Sequence, residues 1–214
     1  MKTNFIYRLY GRSKGRGKNS KITSDANAIK IKNIDPLKYN IIDVGCGYGE
    51  STLEIAKKDS NKNVIACEKY IDGINNIAKK NLIHSLNNIS IFHGNFHQLL
   101  DEYCPNNSIS EIWILFPDPW PKKRHFKRRL VDISFFGKLK FYLKKNAVIN
   151  IASDSHSYIS EILLCISKLK KEFKWINQNK DEWDYANLDL PKTKYFEKAL
   201  EKGINPFYLK LIKY

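Results

Sequence analysis

Short apolar runs and stretches of helical spacing alternate along most of this chain. Asn40 to Val44, Asn63 to Cys67, Ile89 to His93, Ile112 to Phe116 and Ala147 to Ala152 are compact runs of the kind that form strands buried on both faces. Between them, Ser51 to Lys58 spaces Leu53, Ile55 and Ala56 as a helix does, and Ile71 to Leu86 is amphipathic. Further helices are expected from near His97, over Arg128 to Leu143, and from Asp154 through Lys170. This alternation predicts an α/β fold built on a doubly wound, mostly parallel sheet. The tail departs from the pattern. Glu172 to Ile176 and Pro206 to Tyr214 read as strands, and no helix follows the second, so a terminal hairpin with an antiparallel C-terminal strand is expected. Thr193 is placed to cap a helix over Tyr195 to Lys202.

Composition narrows the class. With 214 residues, 43% of them hydrophobic and 13% aromatic, the chain has material for one good core, assigned to residues 34–214. Residues 1–33 set Arg8, Arg12, Lys14, Arg16, Lys18 and Lys21 around three glycines, which predicts a flexible basic arm that orders on a polyanion. The formal net charge of +15, from 37 Lys and Arg against 22 Asp and Glu, points to nucleic acid or an acidic membrane surface as partner. Lys, Asn and Ile abundance also follows genome base composition, so the charge clusters carry more weight than the total. No apolar stretch is long enough to span a bilayer, and Met1 to Tyr10 lacks the apolar region and cleavage site of a secretory signal. Cys46, Cys67, Cys104 and Cys165 show no Cys-x-x-Cys spacing, so they read as reduced, mostly buried residues of a cytoplasmic protein that holds no metal.

Two segments carry candidate chemistry. The first strand runs into Asp43-Val-Gly45-Cys-Gly47-Tyr-Gly49 and then a helix, so the backbone can pass close to a ligand beside free helix N–H groups. The spacing is neither that of a dinucleotide-binding loop nor that of a P-loop. Glu68 ends the second strand, where an acid can accept hydrogen bonds from ribose hydroxyls of a nucleoside lying over the glycine loop. Asn95, at the exit of the third strand, either bonds an adenine edge or caps the next helix. Asp154, at the exit of the fifth, either faces substrate or caps its own helix.

The second segment is Phe116-Pro-Asp118-Pro-Trp120-Pro-Lys-Lys-Arg-His-Phe-Lys-Arg-Arg-Leu130. Phe116, Asp118 and Trp120 each precede a proline and are expected to be extended, which holds Asp118 firmly at a strand end. Lys122, Lys123, Arg124, Lys127, Arg128 and Arg129 follow, with His125 and Phe126 among them. A rigid carboxylate and an aromatic ring ahead of a dense cationic run suit chemistry on a base whose phosphates are held nearby.

Taken together with a late Thr193-Lys-Tyr195 and Glu197, these motifs make the chain resemble the bacterial tRNA (guanine-N7-)-methyltransferase family, over nearly all of its length after the arm. The resemblance implies a class I, Rossmann-like fold binding S-adenosylmethionine (SAM), with S-adenosylhomocysteine (SAH) as product, and transfer of a methyl group to N7 of guanosine 46 in the tRNA variable loop. It places Asp43, Gly45, Gly47, Gly49, Glu68, Asn95 and Asp118 around the cofactor, with Asp118 the active-site aspartate. Lys122, Arg124, His125, Phe126, Lys127, Arg128, Arg129, Asp154, Thr193, Lys194, Tyr195 and Phe196 fall on substrate-contacting positions. The expected partners are tRNA and SAM, without membrane or metal, in a monomer or homodimer. The family's glutamate three residues after the threonine is Phe196 here, and Glu197 stands about 100° around the helix from it. Within enzymes, amino-group methylation by an Asn/Asp-Pro-Pro-Tyr-like loop is the alternative; outside them, a non-catalytic SAM-fold RNA-binding factor.

Overall fold

The computed structural model describes residues 20–214. Seven strands form one sheet in the order β3-β2-β1-β4-β5-β7-β6. The first five are β1 (Asn40–Val44), β2 (Asn63–Glu68), β3 (Ile89–His93), β4 (Ile109–Leu115) and β5 (Leu143–Ser153), all mutually parallel where they pair. β7 (Phe207–Lys213) enters between β5 and β6 (Phe173–Trp175), antiparallel to both, which is the expected C-terminal departure. Helices α2 (Glu50–Lys58), α3 (Ile71–Ile83), α4 (Phe96–Tyr103), α5 (Ile133–Leu139) and α6 (His156–Lys168) link the strands, and α7 (Lys194–Glu201) precedes β7.

Successive strand residues enter opposite cores, as the pleat dictates. Ile41, Val64 and Ile91 pack with α2 and α3, whereas Ile42, Ile65 and Phe92 pack with α4, α5 and α6. A third cluster of Leu115, Ala152, Tyr185, Phe196 and Tyr208 lies under the segment that leads into α7. The chain leaves β1 toward β2 and β3 on one side and returns to β4 on the other, so the sheet order reverses between β1 and β4. Ligands of open α/β sheets bind in the crevice at such a reversal, at the carboxyl ends of the strands. Both candidate segments, the glycine loop after β1 and the proline turn after β4, open there.

Several local expectations are corrected. Of the basic arm, residues 1–19 lie outside the described residues; the remainder is not an arm. Thr23 caps α1 (Ser24–Ala28), its N–H donates to Asn75 Oδ1 at 3.0 Å, and Ile31 and Ile34 are buried in the main core. The apolar side chains at 26, 31 and 34 bind this stretch to the sheet, and Ile31 N–H donates to Ile91 O at 2.8 Å beside β3. The predicted helix over Arg128 to Leu143 is divided: Lys123–Arg128 forms a 3-10 segment, Asp132 accepts from Phe135 N at 2.8 Å to start α5, and β5 begins at Leu143. α3 stops at Ile83 because Ser85 turns left-handed, with φ 51°. Asp154 does not cap α6: the capping position is Ser155, without a side-chain cap bond, and the helix ends at Lys168. Thr193 does cap α7, accepting from Phe196 N at 3.2 Å.

Candidate active site

The floor of the crevice is the glycine loop. Gly45, Gly47 and Gly49 all have positive φ, between 56° and 82°. At Gly49 a side chain is excluded twice, since an added Cβ would stand 2.2 Å from Ile77 Cγ1. Above Gly45 and Gly47 the space is open for 4 Å, a cradle in which backbone can meet a ligand directly. Glu68 borders this cradle. Its Oε2 accepts from Gly47 N at 2.8 Å, and its Oε1 accepts from Lys69 N at 2.7 Å and Tyr70 N at 2.9 Å, at the start of α3. A carboxylate has about four acceptor positions. Three fix the loop to the head of α3, and the fourth remains for a ligand hydroxyl, so the residues fit a nucleoside cofactor whose ribose lies over the glycines.

Asp43 is not at the ligand surface. It is 1% exposed, beneath the loop, where Oδ2 accepts from Ser51 Oγ at 2.6 Å and Thr52 Oγ1 at 2.7 Å. Burial pushes its carboxyl up to about 6, although the two hydroxyl donors oppose the shift. These bonds hold the loop onto α2. Asn95 spends its side-chain oxygen on His97 N at 2.8 Å, the helix-capping alternative.

Asp118 is exposed at the end of β4, inside the proline turn. The turn is not extended throughout as expected: Phe116 has φ 53° and Trp120 φ 41°. Bulky residues in the left-handed region cost roughly 1–3 kcal/mol each, and such strain persists only where the surroundings enforce it. The entry is enforced by Phe116 N donating to Ala152 O at 2.8 Å and by the Phe116 ring meeting Tyr185 edge-on at 5.7 Å. Asp118 and Glu68 act electrostatically on the same two neighbours, Lys69 and Tyr195. Burial lowers the Lys69 ammonium below the usual lysine range while both carboxylates oppose that shift; burial raises the Tyr195 hydroxyl, and both carboxylates add to it. Lys69 is a site residue that sequence reasoning missed, although its place directly after Glu68 was the available signal.

The cationic run divides in two. Lys122, Lys123, Arg124 and Lys127 are exposed, and His125 and Arg128 are half-buried, with the Arg128 guanidinium 4.8 Å over the Trp120 ring. Arg129 is corrected from an RNA contact to an interior residue: it is 4% exposed and its guanidinium lies 3.7 Å over the Phe126 ring. Phe126 is thereby occupied on that face. In the last group, Lys194 and Tyr195 are exposed, Asp154 is half-buried, and Thr193 and Phe196 are sealed from solvent. Phe196 packs on Tyr185 with ring centroids 5.1 Å apart, so the position of the family's glutamate belongs here to the core.

A glycine cradle at the sheet reversal, with an acid at the end of β2 and another on the turn after β4, is the arrangement in which an open α/β sheet of the class I methyltransferase type takes a nucleoside ligand. A family model described as "Putative methyltransferase" matches residues 38–209. A tRNA (guanine-N(7)-)-methyltransferase of Neorickettsia sennetsu is 34% identical over 158 residues, covering 72% of this chain and 72% of its own length. That of Ruegeria sp. is 32% identical over 168 residues, 78% of this chain but 65% of its own length. Among solved structures, the 16S rRNA methyltransferase KamB superposes with a TM-score of 0.58 at 12% identity, covering 91% of this chain and 95% of its own. A Streptococcus mutans methyltransferase in complex with SAH does so at 0.51 and 13%, covering 89% and 94%. The chain belongs to the tRNA (guanine-N7-)-methyltransferase family of SAM-dependent enzymes.

Proposed function

We propose that this protein methylates N7 of a guanosine in tRNA, at position 46 of the variable loop as the resemblance implies, in the cytoplasm. The observation that carries the reading is Asp118: an exposed carboxylate on a strained turn, across the crevice from the glycine cradle and Glu68, immediately ahead of a surface of cations. The glycine cradle and Glu68 would hold SAM, which would supply an electrophilic methyl group on sulfur and leave SAH as product. Guanine N7 carries a lone pair and no proton, so this chain needs no general base. Its residues have two tasks: to align the base with the methyl group, and to offset the positive charge that develops on the purine. Asp118 suits both, accepting from the guanine N1–H and N2 amino edge while presenting a negative charge. Lys122, Lys123, Arg124, Lys127 and Arg128 suit the tRNA phosphates. Trp120 suits stacking on a base.

Mass spectrometry of tRNA nucleosides after incubation with the protein and SAM tests the proposal. Conversion of guanosine to N7-methylguanosine is expected. Methyladenosine instead would move the chemistry to amino-group transfer, and SAM binding without any modified nucleoside would favour a non-catalytic RNA-binding role.

A further inference from the structure

We propose that Arg129 is a positioning residue for methyl transfer, which with Ser157 and Glu161 of α6 clamps the proline turn from behind and so fixes where Asp118 stands. This rests on the function proposed above for Asp118. The guanidinium is engaged at all three nitrogens: Nε donates to Pro119 O at 2.8 Å, Nη2 to Ser157 Oγ at 2.9 Å, and Nη1 to the Glu161 carboxylate and, at 3.4 Å, to Ser157 O. Its faces are covered by Phe126 at 3.7 Å and Tyr158 at 4.8 Å. With its side chain 1% exposed, it presents neither donor nor face to an RNA phosphate.

The position of the Nε bond gives the clamp its meaning. Pro119 directly follows Asp118 and lies between Phe116 and Trp120, the two left-handed residues. Residues ahead of proline favour extended backbone, so a turn strained at both ends tends to relax unless its middle is held. Arg129 holds it by the carbonyl of Pro119, the residue directly after the active-site acid. Arginine suits the task because its planar fork reaches a carbonyl, a hydroxyl and a carboxylate in fixed directions at once; a lysine ammonium keeps the charge but not the geometry. Glu161, whose side chain is 34% exposed, supplies the counter-charge without being deeply buried itself. α6 thereby becomes the strut of the catalytic turn.

The test compares the wild-type full chain with Arg129→Lys, Arg129→Ala and Glu161→Gln. Single-turnover transfer is measured at saturating SAM and tRNA, with SAM affinity, the salt dependence of tRNA binding, and the rate of tryptic cleavage after Lys122 and Lys123. Arg129→Lys is expected to lower the saturating rate roughly 10- to 100-fold, because small displacements of an aligned group are costly, with SAM affinity unchanged. Glu161→Gln should lower it less, in the same sense, and both should speed tryptic cleavage of the turn. The salt slope of Arg129→Ala should equal that of wild type, whereas a phosphate contact would lower it by about one. A lowered slope, or unchanged rate and cleavage in both Arg129→Lys and Glu161→Gln, overturns the clamp. Should Arg129→Ala fail to fold, the other two variants decide. Cleavage needs no catalysis, so absence of methylguanosine from the wild-type reaction would refute the function while leaving the clamp separately testable.

Discussion

Glu68 ties the glycine loop to the head of α3 at the edge of the cradle. The sequence places an acid at the end of the second strand and suggests ribose binding; the structure adds three backbone donors from the glycine loop and the head of α3. Those bonds were illegible because they depend on how the two loops meet, not on spacing. Glu68→Ala should therefore do two things. It should weaken SAM binding by about 1.5–3 kcal/mol, the range for a hydrogen bond to a charged group, and it should lower stability by freeing Gly47 N in the absence of cofactor. Calorimetry and thermal unfolding together check this; unchanged SAM affinity would remove Glu68 from the site. Asp118 differs, being exposed and free of structural bonds to its carboxylate in the described network. Asp118→Asn keeps the size and one acceptor oxygen but loses the charge, so kcat should fall by about 100-fold or more while tRNA binding is retained. Because N7 has no proton to lose, the wild-type single-turnover rate should show no base-type limb near neutrality. A fully active Asp118→Asn enzyme would sink the electrostatic role.

At the scale of elements, strands and cofactor loop were legible because burial and glycine geometry act within a few residues. The segment from Lys122 to Arg129 was legible as charge but not as arrangement. Helical spacing starts a helix at Arg128 and carries it to Leu143, whereas the chain forms a 3-10 turn over Lys123–Arg128, buries Arg129 and restarts at the Asp132 cap. What redirects it is Glu161, 32 residues away, for which the local sequence carries no signal. The exposed cations stay open to a polyanion. Arg128→Ala should lower the salt slope of tRNA binding by roughly one without altering SAM affinity; an unchanged slope would make the cation merely solvated. His125 adds a pH dependence. Partial burial and then Arg128, Arg124, Lys122 and Lys127 hold its imidazole below the usual histidine range, so it is neutral near pH 7 in the free protein. A docked phosphate favours the protonated ring, so tRNA affinity should rise as pH falls from neutrality through and below the usual histidine range, with proton uptake on binding. Filter binding across that range checks it, and His125→Gln should flatten the dependence.

For the molecule as a whole, the doubly wound sheet and its antiparallel C-terminal strand could be read from the alternation of elements, but the order of the last three strands could not. β7 inserts between β5 and β6, and only long-range packing of Leu209 and Leu211 against the core determines that. The same long-range burial sets a property of the entire fold through Asp43. In the unfolded chain this group ionises near its usual value of 3.8, but in the fold burial moves it up to about 6. Across the interval between those values the folded state binds more protons than the unfolded state, so the contribution of Asp43 to stability falls as pH rises and levels off above about 6. A displacement of that size corresponds to roughly 3 kcal/mol. Asp43→Asn has no such titration. Subtracting its unfolding free energy from that of the wild type should leave a difference that declines by roughly 2–3 kcal/mol between about pH 4 and pH 7 and is flat beyond. Urea unfolding of both proteins over that range measures it directly, with the other carboxylates cancelling in the subtraction. Parallel curves would mean that the Ser51 and Thr52 hydroxyls hold Asp43 ionised throughout. The glycine loop would then rest on a permanent buried anion, not on one that admits its proton in mild acid.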